Sequence, residues 1–138
     1  AVSAFLSSDA MMAFDLLNKP ALSPPAWLFP VVWTILYTLM GISSYLVLVS
    51  DADREEIQNA LKIYALQLVV NFLWPTFFFN FQWYLFAFVW LVLLWVLVFI
   101  MIWIFKDVSK LAAYLNIPYI LWLTLAGYLN FSIWLLNR

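Results

Sequence analysis

The chain has 138 residues, of which 68% are hydrophobic and 9% charged, and its mean hydropathy is +1.01. Soluble globular domains carry about 25% charged residues, so this composition excludes a water-soluble globule and predicts an integral membrane protein in a lipid bilayer. The net charge of -1 and the lack of a basic cluster argue against nucleic acid as a partner, and the absence of cysteine and histidine excludes disulfides, thiolate or imidazole metal sites and histidine acid-base catalysis.

The chain opens with a segment too short and too polar to be a complete membrane span. Residues 1–17 combine a short apolar stretch with a weakly amphipathic one, and we interpret them as the remnant of a first helix. A proline-rich segment follows at 18–25, in which Pro24 and Pro25 fix φ and hold the residues before them extended. This segment predicts a rigid loop that covers the bundle like a lid.

Four apolar stretches follow, each about as long as a bilayer is thick. They are predicted as membrane spans at 26–49, 60–79, 83–105 and 111–136. Pro75 and Pro118 predict kinks in the second and fourth of them. The sequence therefore predicts an all-α fold with a single transmembrane domain.

The basic residues are distributed unevenly between the two ends of the spans. One end carries four and the other two, namely Arg54, Lys62, Lys106 and Lys110 against Lys19 and Arg138. By the positive-inside rule, the loop between the first two complete spans is predicted to be cytoplasmic and the proline loop to face outward.

Three of the spans carry a face of aromatic rings and amides at helical spacing. These faces contain Trp33, Tyr37, Gly41 and Ser44 or Tyr45 in the first span, Tyr64, Gln67, Asn71, Trp74 and Phe78 in the second, and Tyr119, Trp122, Ala126, Asn130 and Trp134 in the fourth. An amide facing lipid would leave its donors unsatisfied, so the three amides should face inward. Any single amide is equally well explained by a polar contact between helices, but the whole set under a rigid loop favours a cavity for a flat hydrophobic ligand. Pro24 and Trp27, beside the loop, complete the candidate ligand-binding set.

Ionisable residues are missing where a pump or proton-coupled transporter would need them. No Asp, Glu, Lys, Arg or His occurs between Ile63 and Phe105 or within the first and fourth spans. Intramembrane ionisable groups are the usual sign of proton and ion pathways, so their absence argues against such a transporter. We predict no conventional catalytic residue, no metal and no cofactor.

Three groups of motifs, taken together, carry a resemblance to a known family. They are Lys19-Pro20, Ser23-Pro24-Pro25-Ala26-Trp27, Val32-Trp33, Leu36-Tyr37, Met40-Gly41 and Tyr45-Leu46-Val47; then Gln67-Leu68, Asn71, Trp74-Pro75 and Phe78-Phe79; and finally Ile117-Pro118-Tyr119, Trp122, Leu129-Asn130 and Trp134. With them the chain resembles the tryptophan-rich sensory protein family in its bacterial form, also called translocator protein or peripheral benzodiazepine receptor.

The resemblance implies a five-helix bundle whose first helix is truncated in this chain. It also implies binding of porphyrins such as protoporphyrin IX, of sterols and of synthetic isoquinoline or benzodiazepine ligands, homodimers, and a place in the bacterial cell membrane. The implied pocket residues are Trp33, Tyr37, Gln67, Asn71, Trp74, Ala126 and Asn130. Phe131 and Leu135 stand where the sterol motif of animal members has tyrosine and arginine, which argues against sterol recognition there, and Trp90 replaces an aspartate found in several members.

Three functions remain open at this point. The leading hypothesis is a membrane receptor, sensor or transporter that encloses a porphyrin. A second is light- or oxygen-dependent porphyrin breakdown through radical chemistry at Trp27, Trp33 or Trp122. A third is a structural subunit of a larger membrane complex, in which a partner helix completes the bundle.

Overall fold

The structure is a computed structural model that describes Pro25 and residues 27–137, in which helices are joined by short connections and no strand occurs among the described residues. The helices are α1 (Leu28–Leu48), α2 (Arg54–Pro75), a π-helical segment (Thr76–Asn80), α3 (Tyr84–Val108), α4 (Lys110–Leu115) and α5 (Ile117–Asn137). The predicted first-helix remnant at 1–17, and the proline loop apart from Pro25, lie outside the described residues.

Four helical stretches are long and apolar enough to cross a membrane. They are Leu28–Leu48, Arg54–Asn80, Tyr84–Val108 and Lys110–Asn137, with 21, 27, 25 and 28 residues. At about 1.5 Å per residue, even the shortest spans about 30 Å, the thickness of a hydrocarbon core. Each predicted span falls largely within one of these stretches.

The second stretch begins before the predicted span and changes its winding after Pro75. Helix α2 starts at Arg54, so the charged residues before the apolar stretch are also helical. Glu55 and Glu56 lie in its first turn, where negative charge interacts favourably with the helix dipole. Pro75 has no backbone N–H, and the chain after it winds as a π-helix instead of ending. The backbone N–H of Phe81 closes this segment on the carbonyl of Thr76 at 3.0 Å.

The last stretch is interrupted at Asn116, two residues before the proline that predicted a kink. Helix α4 ends there and α5 begins at Ile117, which puts Pro118 in the first turn of α5, where a missing N–H costs nothing. The Asn116 side chain is fully buried and donates to the Ser43 hydroxyl at 2.7 Å and to the Ala112 carbonyl at 2.9 Å. The break is therefore tied to α1 by hydrogen bonds.

Helix α3 packs against α2, α4 and α5, while α1 packs against α2 and α4. The buried face of α3 recurs every three or four residues, at Ala87, Leu91, Leu94, Val98, Met101 and Phe105. This apolar face runs along most of the length of α3.

Candidate functional site

The aromatic face of α1 meets an aromatic residue of α5. Trp33 and Tyr37 are one helical turn apart, with ring centres 5.5 Å from each other. The edge of the Tyr119 ring lies against Trp33 at 6.2 Å between centres. These three rings form one wall of the candidate site.

A chain of hydrogen bonds between uncharged side chains joins this wall to α2. The Tyr37 hydroxyl donates to Asn71 Oδ1 at 2.8 Å, and Asn71 Nδ2 donates to the Tyr119 hydroxyl oxygen at 2.6 Å. The Tyr119 hydroxyl donates to Gln67 Oε1 at 2.7 Å, and Gln67 Nε2 lies 3.8 Å from the Met40 sulfur. Gln67, Asn71 and Tyr119 are each at most 2% exposed. Two of the predicted amides thus face inward and bind each other through a tyrosine.

The direction of this chain follows from the chemistry of its last member. The thioether of Met40 only accepts, so it pairs with the amide nitrogen of Gln67 and leaves the oxygen of that amide for Tyr119. Tyr119 then donates to Gln67 and accepts from Asn71, whose oxygen faces Tyr37. The hydroxyl proton of Tyr37 is therefore committed to the protein.

The third predicted amide holds the indole of Trp74. Trp74 Nε1 donates to Asn130 Oδ1 at 3.1 Å, and Asn130 Nδ2 donates to the backbone carbonyl of Tyr84 at 2.7 Å. An indole N–H can only donate and a carbonyl can only accept, so the orientation of this amide is fixed. Asn130 joins α2, α3 and α5 at a single point.

A small cavity of about 20 Å³ lies beside Trp74 and Asn130. Its lining residues are Phe29, Trp74, Phe78, Phe79, Ala126, Leu129, Asn130 and Ile133. A water molecule needs about 10–15 Å³ of such space, so the cavity holds at most about one. The described residues therefore pack closely at this point.

Along α5, Trp122 lies between Tyr119, which belongs to the wall with Trp33, and Ala126, which lines the cavity. Its ring packs edge-to-face with that of Phe29, with 5.6 Å between ring centres. Its indole nitrogen is buried and has no hydrogen-bond partner. A donor in this condition is available to an acceptor atom of a ligand.

Most of the predicted ligand-binding residues come together, and two do not join them. Trp33, Tyr37, Gln67 and Asn71 belong to the hydrogen-bonded wall, and Trp74, Ala126 and Asn130 to the cavity. Trp27 is 67% exposed at the start of α1 and is not part of this buried set. Pro24 lies outside the described residues.

The sequence-based set omitted three residues that complete the site. Periodicity already placed Tyr119 and Trp122 on the face of Ala126 and Asn130, but the predicted ligand-binding set did not include them. Met40 carries no comparable signal, because a methionine in a membrane helix is ordinarily read as apolar packing.

The described interior contains no charged side chain. Its buried polar residues are Ser43, Gln67, Asn71, Asn116 and Asn130. Within residues 27–137, no cluster of three or more His, Cys, Asp or Glu side chains that could hold a metal ion occurs. The arrangement is suited to enclosing a flat hydrophobic molecule with rings and a few neutral hydrogen-bonding groups.

Comparison with known proteins assigns the family. Residues 1–135 match the sequence profile of the TspO/MBR family. The chain belongs to this family. The resemblance drawn from the Pro-Pro-Ala-Trp, Trp-Pro and Leu-Asn motifs is thereby confirmed.

Several TspO/MBR relatives are similar over most of their length. The tryptophan-rich protein TspO of Chlorobaculum tepidum is 39% identical over 135 residues, covering 98% of this chain and 85% of that protein. Protein CrtK of Rhodobacter capsulatus is 42% identical over 124 residues, covering 90% and 78%. The human translocator protein is 34% identical over 133 residues, covering 96% and 79%. Family membership and four apolar helices together make this an integral, multi-pass membrane protein.

Proposed function

We propose that this TspO/MBR protein is a membrane receptor or sensor that binds a flat hydrophobic ligand, a porphyrin such as protoporphyrin IX, between α1, α2 and α5. The observation that carries the proposal is that Trp33, Tyr37 and Trp74 are each held beside buried polar groups that are all neutral. Large aromatic rings supply the apolar contact area that a planar macrocycle needs.

In the proposed mechanism the rings enclose the macrocycle, and the amides set where the rings stand. Asn71 holds the Tyr37 hydroxyl and Asn130 holds the Trp74 indole. Drug-sized ligands occupy pockets of about 300–1,000 Å³, whereas the cavity beside Trp74 measures about 20 Å³. Binding therefore requires these rings to move apart, and each is held by hydrogen bonds with a net strength of only about 1 kcal/mol.

The direct test is a titration of purified protein with protoporphyrin IX in the dark, followed by the absorption of the porphyrin and by tryptophan fluorescence. Saturable binding is expected. Trp33→Ala should raise the Kd about 3- to 10-fold, as expected for the loss of one aromatic contact of about 0.5–1.5 kcal/mol. Trp103→Ala is the matched control, because Trp103 is 59% exposed on the outer face of α3. Equal Kd values for Trp33→Ala and the unmodified protein would refute this site.

The unpartnered indole of Trp122 favours a second candidate, porphyrin breakdown that uses molecular oxygen as the oxidant under illumination. After the dark titration, the same samples are illuminated in air. A porphyrin spectrum that is retained supports a binding protein. Bleaching that is lost in Trp122→Phe supports the enzyme.

We also propose the features that the family resemblance implies. They are an additional helix before α1 that ends within residues 1–17, a homodimer, a proline loop that faces outward, and location in the bacterial cell membrane. Support for a sensing role comes from the relative named tryptophan-rich sensory protein in Cereibacter sphaeroides, 38% identical over 124 residues.

A further inference from the structure

Charged side chains in the described part of the chain are confined to one end of the bundle; Lys19 and Arg138, which the sequence assigns to the other end, lie outside the described residues. The described charged residues are Asp51, Asp53, Arg54, Glu55, Glu56, Lys62, Lys106, Asp107 and Lys110. All belong to the α1–α2 connection, the first turns of α2 or the α3–α4 junction. The candidate cavity lies toward the opposite end, beside Phe29 in the first turn of α1 and Trp74 near the end of α2. Twelve residues of helix separate Lys62 from Trp74, which is about 18 Å.

Several hydrogen-bond donors of the site already have protein partners. The hydroxyls of Tyr37 and Tyr119, the indole N–H of Trp74 and the amide nitrogen of Asn130 each donate to a protein acceptor. Among buried side-chain nitrogen and oxygen atoms of residues 27–137, Trp122 Nε1 is the one donor without a partner. A single indole N–H replaces little of the hydration that an ionised carboxylate loses on burial.

Protoporphyrin IX has two propionate groups on one edge of a flat apolar ring. An ionised carboxylate is buried only when a cation or several donors compensate it. The described interior has no buried cation, and Trp122 Nε1 is its one buried side-chain donor atom without any partner. We propose that the enclosed part of the ligand is uncharged, so that the macrocycle lies between the helices while both propionates stay outside, in water or among lipid headgroups. This inference rests on the proposed porphyrin binding and adds the orientation of the ligand.

The experiment compares protoporphyrin IX with its dimethyl ester, which has the same ring but no ionisable acid. Both are titrated into the full chain in one detergent, between about pH 6 and about pH 8.5, where a free carboxyl group with a pKa of about 4 stays ionised. If the propionates remain in water, the two Kd values should agree within about threefold, and the Kd of the diacid should change by less than about twofold per pH unit.

Two results would overturn the inference. A loss of affinity of about tenfold or more on esterification would mean that ionised carboxylates are held by donors inside the protein. A Kd of the diacid that rises about tenfold per pH unit, with no change for the ester, would mean that a carboxyl group enters in its neutral form.

Two variants remove the remaining ambiguity. Trp122→Phe deletes the buried donor that has no protein partner, and it should change the affinity for both porphyrins by the same factor; a loss confined to the diacid would overturn the inference. Lys106→Gln, at the far end of the bundle, serves as the control for long-range electrostatics, and the ratio of the two Kd values should not change. If neither porphyrin binds saturably, the proposed function itself fails, and the inference fails with it.

Discussion

Replacing Tyr37 by phenylalanine should lower the stability of the protein and raise its affinity for a porphyrin. The change removes the hydroxyl that donates to Asn71 Oδ1 at 2.8 Å and leaves the ring that forms the wall with Trp33. In the closed structure this bond holds α1 against α2. Because the cavity that the described residues line beside Trp74 is too small for a macrocycle, we expect the Tyr37–Asn71 bond to break before the ligand enters.

The magnitude follows from the value of one such bond. Hydrogen bonds between membrane helices average about 0.6 kcal/mol, and a typical protein hydrogen bond contributes about 1 kcal/mol. The free energy of unfolding should fall by that amount. If the same amount is removed from the cost of opening, the apparent Kd should fall about three- to fivefold.

The assay pairs thermal unfolding in detergent with the porphyrin titration, and Tyr45→Phe is the control because Tyr45 is 60% exposed on the same helix. Lower stability with tighter binding is the expected combination. Weaker binding would show that the hydroxyl contacts the ligand, and the reasoning from a closed site would be refuted.

Three other substitutions test the remaining hydrogen bonds. Tyr119→Phe should lower the free energy of unfolding, measured by chemical denaturation, by about 2–3 kcal/mol, which is more than Tyr37→Phe. The reason is that the Tyr119 hydroxyl both accepts from one buried amide and donates to another. Trp90→Phe removes an indole bond of 2.8 Å to the backbone of α2 and should lower stability by about 1 kcal/mol, whereas Trp103→Phe, on the exposed face, should stay within about 0.5 kcal/mol. Asn116→Ala deletes the link to Ser43 and should cost about 1–3 kcal/mol, measured in the same unfolding assay; an unchanged midpoint would show that the break before α5 does not depend on it.

The membrane spans could be predicted because the thickness of the hydrocarbon core sets the length of a spanning helix, and its apolar character sets the hydropathy of that helix. The inward orientation of Gln67, Asn71 and Asn130 followed as well, since an amide in contact with lipid has no partner for its donors. Both predictions depend on the solvent around the chain and require no knowledge of how the helices pack.

The partners of those amides could not be predicted in the same way. The rotation of three separate helices about their axes, and their positions along the membrane normal, decide which tyrosine lies between Gln67 and Asn71. They also decide whether a methionine is the last acceptor in this series of hydrogen bonds. The π-helical winding after Pro75 also escaped prediction, because proline shows only that a regular α-helical bond is lost and not how the chain compensates. Side-chain periodicity gives the face of a helix, whereas a contact needs the neighbouring helix.

The neutral character of the polar core connects the fold to the proposed function. A charged pair at the same depth would hold the helices strongly, but breaking it would leave an uncompensated charge in a medium of low dielectric constant. The bonds made by Tyr37 and Trp74 are individually weak, and an acceptor or a ring face of a ligand can replace either one at little cost. Neutral bonds of this strength are ones that a ligand, proposed to enter between α1, α2 and α5, can displace.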